Sequence, residues 1–178
     1  MAALLGAHFA LAEAICADAA QGEVCQAAND NGGGQVVISG HKAAVERAMA
    51  ISKDRGVKRA ILLPVSAPFH CALMQPAADA MAAALSRAEV RVPLLPVYAN
   101  VTAAPASDPD EIRDLLVRQV TGTVRWRGSV EAMWTAGVTD YVEFGAKVLG
   151  PMVKRIVPDA NIVSLVSMAD IEAFATSL

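Results

Sequence analysis

His70 stands in "PVSAPFHCALM", residues 64–74, where an apolar run ends and an alanine-rich helical pattern begins. Open α/β sheets place their chemistry at the carboxyl ends of strands. An imidazole there can accept and return a proton near neutral pH, which is the work of a general base. The position also suits a helix-capping or core histidine, and spacing leaves both readings open. Cys71 follows at once, but adjacent side chains seldom point the same way, and a cysteine leading an apolar helix is read as packing. Gln119 shares a predicted helix with Ile112, Leu115, Leu116 and Val120 and lies near its buried stripe. A buried amide there must find partners and could organise a site; read alone, Gln119 is a boundary residue.

Two glycine-containing stretches invite an anion. "NDNGGGQ", Asn29 to Gln35, precedes a strand rather than a helix and lacks the Lys-Ser/Thr end of a phosphate loop. A turn with asparagine at positive-φ positions explains it better. "EFGAKVLG", Glu143 to Gly150, joins a strand to a helix and could hold an anion, with a tight turn as the default reading. The serine elbow G-x-S-x-G occurs nowhere in the chain. The residues thus offer one candidate base and no nucleophile.

The elements that would position these groups follow from periodicity. Residues 1–64 read as β-α-β-β-α-β: "MAALL", "AHFALAEAICADAA", "GEVCQAA", "QVVISG", "HKAAVERAMAISKDRG" and "VKRAILLPV". That order is ferredoxin-like. A helix is then expected over about 72–88, a strand at "LLPVYAN", and a loop at "VTAAPASDPD". Ser107 is the expected N-cap of "DPDEIRDLLVRQV", with Pro109 and acidic residues in its first turn. A helix at about 127–136, a strand "TDYVEF", a helix "GAKVLGPMVKRI", a strand "NIVSLV" and a final helix "MADIEAFATSL" complete the chain. The alternation suggests pieces of a layered, mostly parallel sheet. Met1 opens directly on an apolar run that reads as a buried strand.

Composition narrows the class. The 178 residues are 54% hydrophobic but only 4% aromatic, so Ala, Val, Leu, Ile and Met must build the core. A net charge of −3 leaves no basic stripe to neutralise phosphates, which argues against nucleic acid as partner. Three cysteines without CxxC spacing argue against structural zinc and fit a reducing cytoplasm. No stretch is apolar for long enough to span a bilayer, so no membrane role is expected.

Taken together, "MAALLG", "NDNGGGQVVISGHKAAVERA", "LPVSAPFHCALMQPAAD", "PVYANVTA", "IRDLLVRQV", "VRWRGSVEAM" and "VEFGAKVLGPMVKRI" resemble, in order, the C-terminal portion of malonyl-CoA:acyl-carrier-protein transacylase. The resemblance implies an α/β fold. It combines a ferredoxin-like small subdomain at 1–64 with the C-terminal part of an α/β-hydrolase-like large subdomain at 65–178. It implies ping-pong acyl transfer in fatty-acid biosynthesis: a serine takes malonyl from coenzyme A and passes it to acyl carrier protein. His70 matches the family's base. Gln119 matches the residue whose main-chain carbonyl orients that histidine, in place of a triad's acid. Phe69 matches a position where a large side chain goes with malonyl selection over methylmalonyl. Asn29, in the matching glycine-rich segment, is expected to contact substrate. No cofactor and no metal are implied, only the substrates malonyl-CoA and phosphopantetheinyl acyl carrier protein.

The family's oxyanion loop, G-H-S-x-G elbow and malonyl-binding arginine have no counterpart here; Arg113, Arg118, Arg125 and Arg127 match other family positions. The expectation is an N-terminally truncated chain, inactive alone, whose serine could come from a separate N-terminal segment. "EFGAKVLG" is also one residue shorter than the common family form, which leaves Pro151 inside the following helix. The competing expectation is a non-catalytic module that complements such a segment or binds acyl carrier protein. A Cys71–His70 hydrolase ranks lowest.

Overall fold

The computed structural model describes residues 1–177, which form two compact units, Met1–Ser129 and a second beginning at Val130. The first unit opens with β1 (Ala2–Leu5), α1 (Phe9–Ala20), β2 (Cys25–Asp30), β3 (Gln35–Gly40), α2 (Lys42–Asp54) and β4 (Arg59–Leu62). The strands make one antiparallel sheet in the order β2-β3-β1-β4, the ferredoxin-like arrangement. Alternation along β1 sends Ala2 and Leu4 into a core with Ile15, Ile38 and Val45, while Ala3 packs with Ala28 and Val37 on the other face.

The β2–β3 turn departs from expectation in one respect. Gly32, Gly33 and Gly34 carry the positive φ angles of 73°, 57° and 75°, and neither asparagine does. Three consecutive residues in that region would strain any side chain, so glycine takes all three.

The sheet is joined to the rest of its unit along the outer edge of β2. Asp30 N donates to Val124 O at 2.9 Å and Val124 N to Ala28 O at 2.8 Å, a parallel bridge between Asn29 and Val124. Thr123 Oγ1 donates to Ala27 O, and Arg127 pairs with Asp30. These ties hold residues 65–129 to the sheet. The first compact unit accordingly runs on past the change of pattern near residue 64, to Ser129.

Beyond β4 a 3-10 turn, Ala72–Met74, leads into α3 (Gln75–Leu85), later than the expected start of the helix. β5 (Val97–Ala99) pairs antiparallel with β6 (Ala104–Ala106), a strand in what the sequence suggested was loop. "APA" has little strand propensity, and its place is set by the hairpin. α4 (Pro109–Thr121) is capped by Asp108, not Ser107: Asp108 Oδ1 accepts from Asp110 N and Glu111 N at 3.0 and 2.9 Å. Pro109 takes the first helical position, where its missing N–H is harmless, so the residue before it must be the cap. α5 spans Trp126–Thr135.

In the second unit β7 (Asp140–Phe144) and β8 (Asn161–Leu165) pair in parallel, with α6 (Leu149–Ile156) between them and α7 (Met168–Thr176) after. Only this pair is parallel among the described strands, so the expected mostly parallel sheet is replaced by a mixed α/β arrangement. Pro151 sits in the first turn of α6, where it removes no helical hydrogen bond. The last residue of the expected final helix, at position 178, lies outside the described residues.

The junction "EFGAKVLG" has an internal anion in place. Glu143 Oε1 accepts from Val148 N and Leu149 N, and Oε2 from Gly150 N, all within 2.8–2.9 Å. The carboxylate fills the amino end of α6, where free N–H groups and the helix dipole favour negative charge. The backbone donors, Leu149 N first, hold the Glu143 carboxyl below the ordinary glutamate value. A lowered folded pKa stabilises the unit fully above the unfolded value of about 4.3, and that contribution is lost as pH falls through the folded pKa. The amide resonances of Val148, Leu149 and Gly150 should thus titrate together with a midpoint below that of an unperturbed glutamate, and Glu143→Gln should abolish the transition. A midpoint at the ordinary glutamate value would contradict this account.

Candidate active site

His70 sits half-buried in the link between β4 and the 3-10 turn, with a backbone φ of 59°. Left-handed backbone costs a non-glycine residue about 1–3 kcal/mol and persists only where its surroundings hold it. Three contacts do so. His70 Nδ1 lies 2.8 Å from Gln119 O. Ala72 N donates to Gln26 Oε1 on β2 at 2.7 Å. Between them, Cys71 is fully buried and its Sγ donates to Pro68 O at 3.1 Å. Cys71 is thus a packing residue, with no exposed sulfur to act as nucleophile.

The partner of Nδ1 decides the tautomer. A carbonyl oxygen can only accept, so Nδ1 carries the proton and Nε2 keeps its lone pair. Gln119 lies in the last turn of α4, whose final four carbonyls have no partner within the helix. One of these spare acceptors, at the negative end of the helix dipole, anchors the ring. His8 and His41 are arranged oppositely: their Nδ1 atoms accept from Leu11 N and Val24 N.

The Gln119 side chain faces a separate partner, since Asn100 Nδ2 donates to its Oε1 at 2.9 Å. A cavity of about 250 Å³ adjoins this pair, lined by Val97, Ile112, Leu115 and Leu116 among others. Phe69, next to His70 in the chain, is 42% exposed. Asn29 lies half-buried at the bulged outer edge of β2, where its backbone forms the bridge to Val124. Its neighbour Asp30 lines a cavity with Arg125 and Arg127. Sequence reasoning passed over Asn100 and Gln26, because both act across long sequence separations.

Cys16 and Cys25 pack in the sheet–helix core of the first unit. Their mutual hydrogen bond, with burial adding to it, pushes the Cys16 thiol up. It stays protonated and unreactive. Among the described residues no group of three or more His, Cys, Asp or Glu side chains could hold a metal ion, and no helix is long and apolar enough to cross a membrane.

No protein-family model matches the chain. Individual relatives do. The malonyl CoA-acyl carrier protein transacylase of Escherichia coli K12 is 49% identical over 158 residues, 88% of this chain and 51% of the relative. That of Salmonella typhimurium is 44% identical over 177 residues, 99% of this chain and 57% of the relative. Among solved structures, the acyl-carrier-protein-S-malonyltransferase of Bartonella henselae superposes with a TM-score of 0.94 at 48% identity, covering 99% of this chain and 56% of its own. A malonyl-transacylase solved with a type II polyketide acyl-carrier protein gives a TM-score of 0.94 at 38% identity, over 99% of this chain and 58% of its own. By sequence and by fold, the chain corresponds to the C-terminal part of the malonyl CoA-acyl carrier protein transacylases and spans about half the length of the relatives it matches.

Proposed function

We propose that this chain supplies the general base of a two-step malonyl transfer from malonyl-CoA to acyl carrier protein. The observation that carries the proposal is the bond from His70 Nδ1 to Gln119 O, which leaves Nε2 free to accept a proton. In the first step Nε2 takes the proton of a serine hydroxyl as its oxygen attacks the malonyl thioester. The C–S bond breaks, and the coenzyme A thiol leaves with that proton. In the second step the phosphopantetheine thiol of the carrier gives its proton to Nε2 and attacks the malonyl ester, and the serine oxygen takes the proton back. A main-chain carbonyl as anchor sets the tautomer without adding a charge. Phe69 narrows the acyl site against a branched α-carbon, which competition between malonyl-CoA and methylmalonyl-CoA tests. Asn29 contributes to holding substrate at the edge of β2.

The serine belongs to sequence outside these 178 residues, since G-x-S-x-G does not occur in them. Apolar side chains left open in the second unit support a covering segment: Phe144, Val148 and Met168 are 68%, 62% and 67% exposed. Parallel strands are normally covered on both faces. The test mixes this chain with the serine-bearing segment of a malonyl CoA-acyl carrier protein transacylase, radiolabelled malonyl-CoA and acyl carrier protein. Label should reach the carrier only when both pieces are present. A stoichiometric adduct on this chain alone would overturn the division of roles. Association with the carrier but no transfer by the pair would favour a non-catalytic binding module.

A further inference from the structure

We infer that Asn100 is a positioning residue for the base: its side chain and its main chain together hold the end of α4 that anchors His70. The inference rests on the reading of His70 as the base and deepens it. Asn100 follows β5, in the connection to β6, and is half-buried. Its Nδ2 donates to Gln119 Oε1 at 2.9 Å. Its carbonyl accepts from Arg125 N at 2.8 Å. One residue thus grips the chain at 119 and again at 125, on either side of the point where α4 ends at Thr121.

That segment has a demanding task. Gln119 must present its carbonyl to His70 Nδ1 at 2.8 Å, and the last turn of a helix is where fraying begins. The next residues leave the helix to reach β2, where Val124 N donates to Ala28 O. A free Gln119 side chain would let the turn unwind and its carbonyl swing away from the ring. The amide pair of Asn100 and Gln119 prevents this, because each side chain satisfies the other in a half-buried place.

The three imidazoles make the test internal. For the neutral imidazoles, long-range ¹H–¹⁵N spectra of the labelled full chain report which ring nitrogen carries the proton. His70, assigned by its loss in His70→Gln, should be the Nδ1–H tautomer. His8 and His41 should be Nε2–H, since their Nδ1 atoms accept from backbone. Asn100→Ala should raise the Nε2–H fraction at His70 at least twofold and leave His8 and His41 unchanged. Asn100→Asp should restore the wild-type spectrum, because a carboxylate can accept from the rotated Gln119 amide. Should Asn100→Ala fail to fold, Gln119→Met removes the same bond while keeping the carbonyl, and the same shift is expected. An unchanged His70 tautomer in a folded variant overturns the inference. Wild-type His70 as Nε2–H would overturn the base reading itself, so the two failures are distinguishable.

Discussion

His70→Ala is expected to lower malonyl transfer by about 10²- to 10⁴-fold in the reconstituted enzyme, the usual contribution of a positioned base. The loss should fall on kcat more than on KM, because a base, as proposed for His70, acts on protons in flight and not on bound substrate. Backbone strain gives a second readout that separates chemistry from stability. His70 holds a φ of 59°, where a Cβ is disfavoured by about 1–2 kcal/mol. His70→Gly should therefore be as inactive as His70→Ala yet more stable than it by about 1 kcal/mol. That ordering is what a site under functional constraint predicts: the residue best for the backbone is the one that abolishes the reaction. Transfer at the wild-type rate by His70→Ala, with the complex intact, would remove His70 from the mechanism.

The parts of this site legible from sequence are those with a local signature. The ferredoxin-like order could be read because each strand and helix of residues 1–64 carries its own periodicity. His70 and Gln119 were singled out by the segments around them, "APFH" and "VRQ", and spacing alone did not decide for His70. What could not be read depends on tertiary partners. The left-handed backbone of His70 could not be read, since Pro68 signals a turn but no glycine marks position 70. Asn100 meets Gln119 through a hairpin whose second strand, "APA", lacks strand character. Glu143 illustrates the limit differently. The junction "EFGAKVLG" showed a helix amino end fit for an anion, but not that the preceding strand delivers its own carboxylate there. For Asn100 and Gln26, distance in sequence and not weakness of interaction hid the contact. For Glu143 the contacts are local, and it was the direction of the side chain that could not be read.

Gly40→Ala should be the most damaging small substitution in the first unit, destabilising it by about 3 kcal/mol or more. A Cβ on Gly40 would lie 2.0 Å from Val24 O, 2.7 Å from Val24 C and 2.9 Å from Cys25 Cα. All three atoms are backbone, so no rotamer change relieves the overlap. Nor can the strands part easily at that point. His41 N donates to Val24 O and Val24 N to His41 Nδ1, both at 2.9 Å, fastening the start of β2 to the end of β3. The chain must break the Cys25–Gly40 register or shift β2, and β2 carries Gln26, which holds Ala72 N two residues beyond His70. A methyl group at the far end of a strand would thus loosen the His70 loop as well as the core. Gly56→Ala is the control: its Cβ would meet nothing within 4 Å, and only the strain of a φ of 79° remains, about 1–2 kcal/mol. Urea unfolding of both variants, compared at unchanged m, measures the difference. Equal midpoints would mean that the β2–β3 junction yields to the added carbon, and that the clamp on His70 does not depend on it.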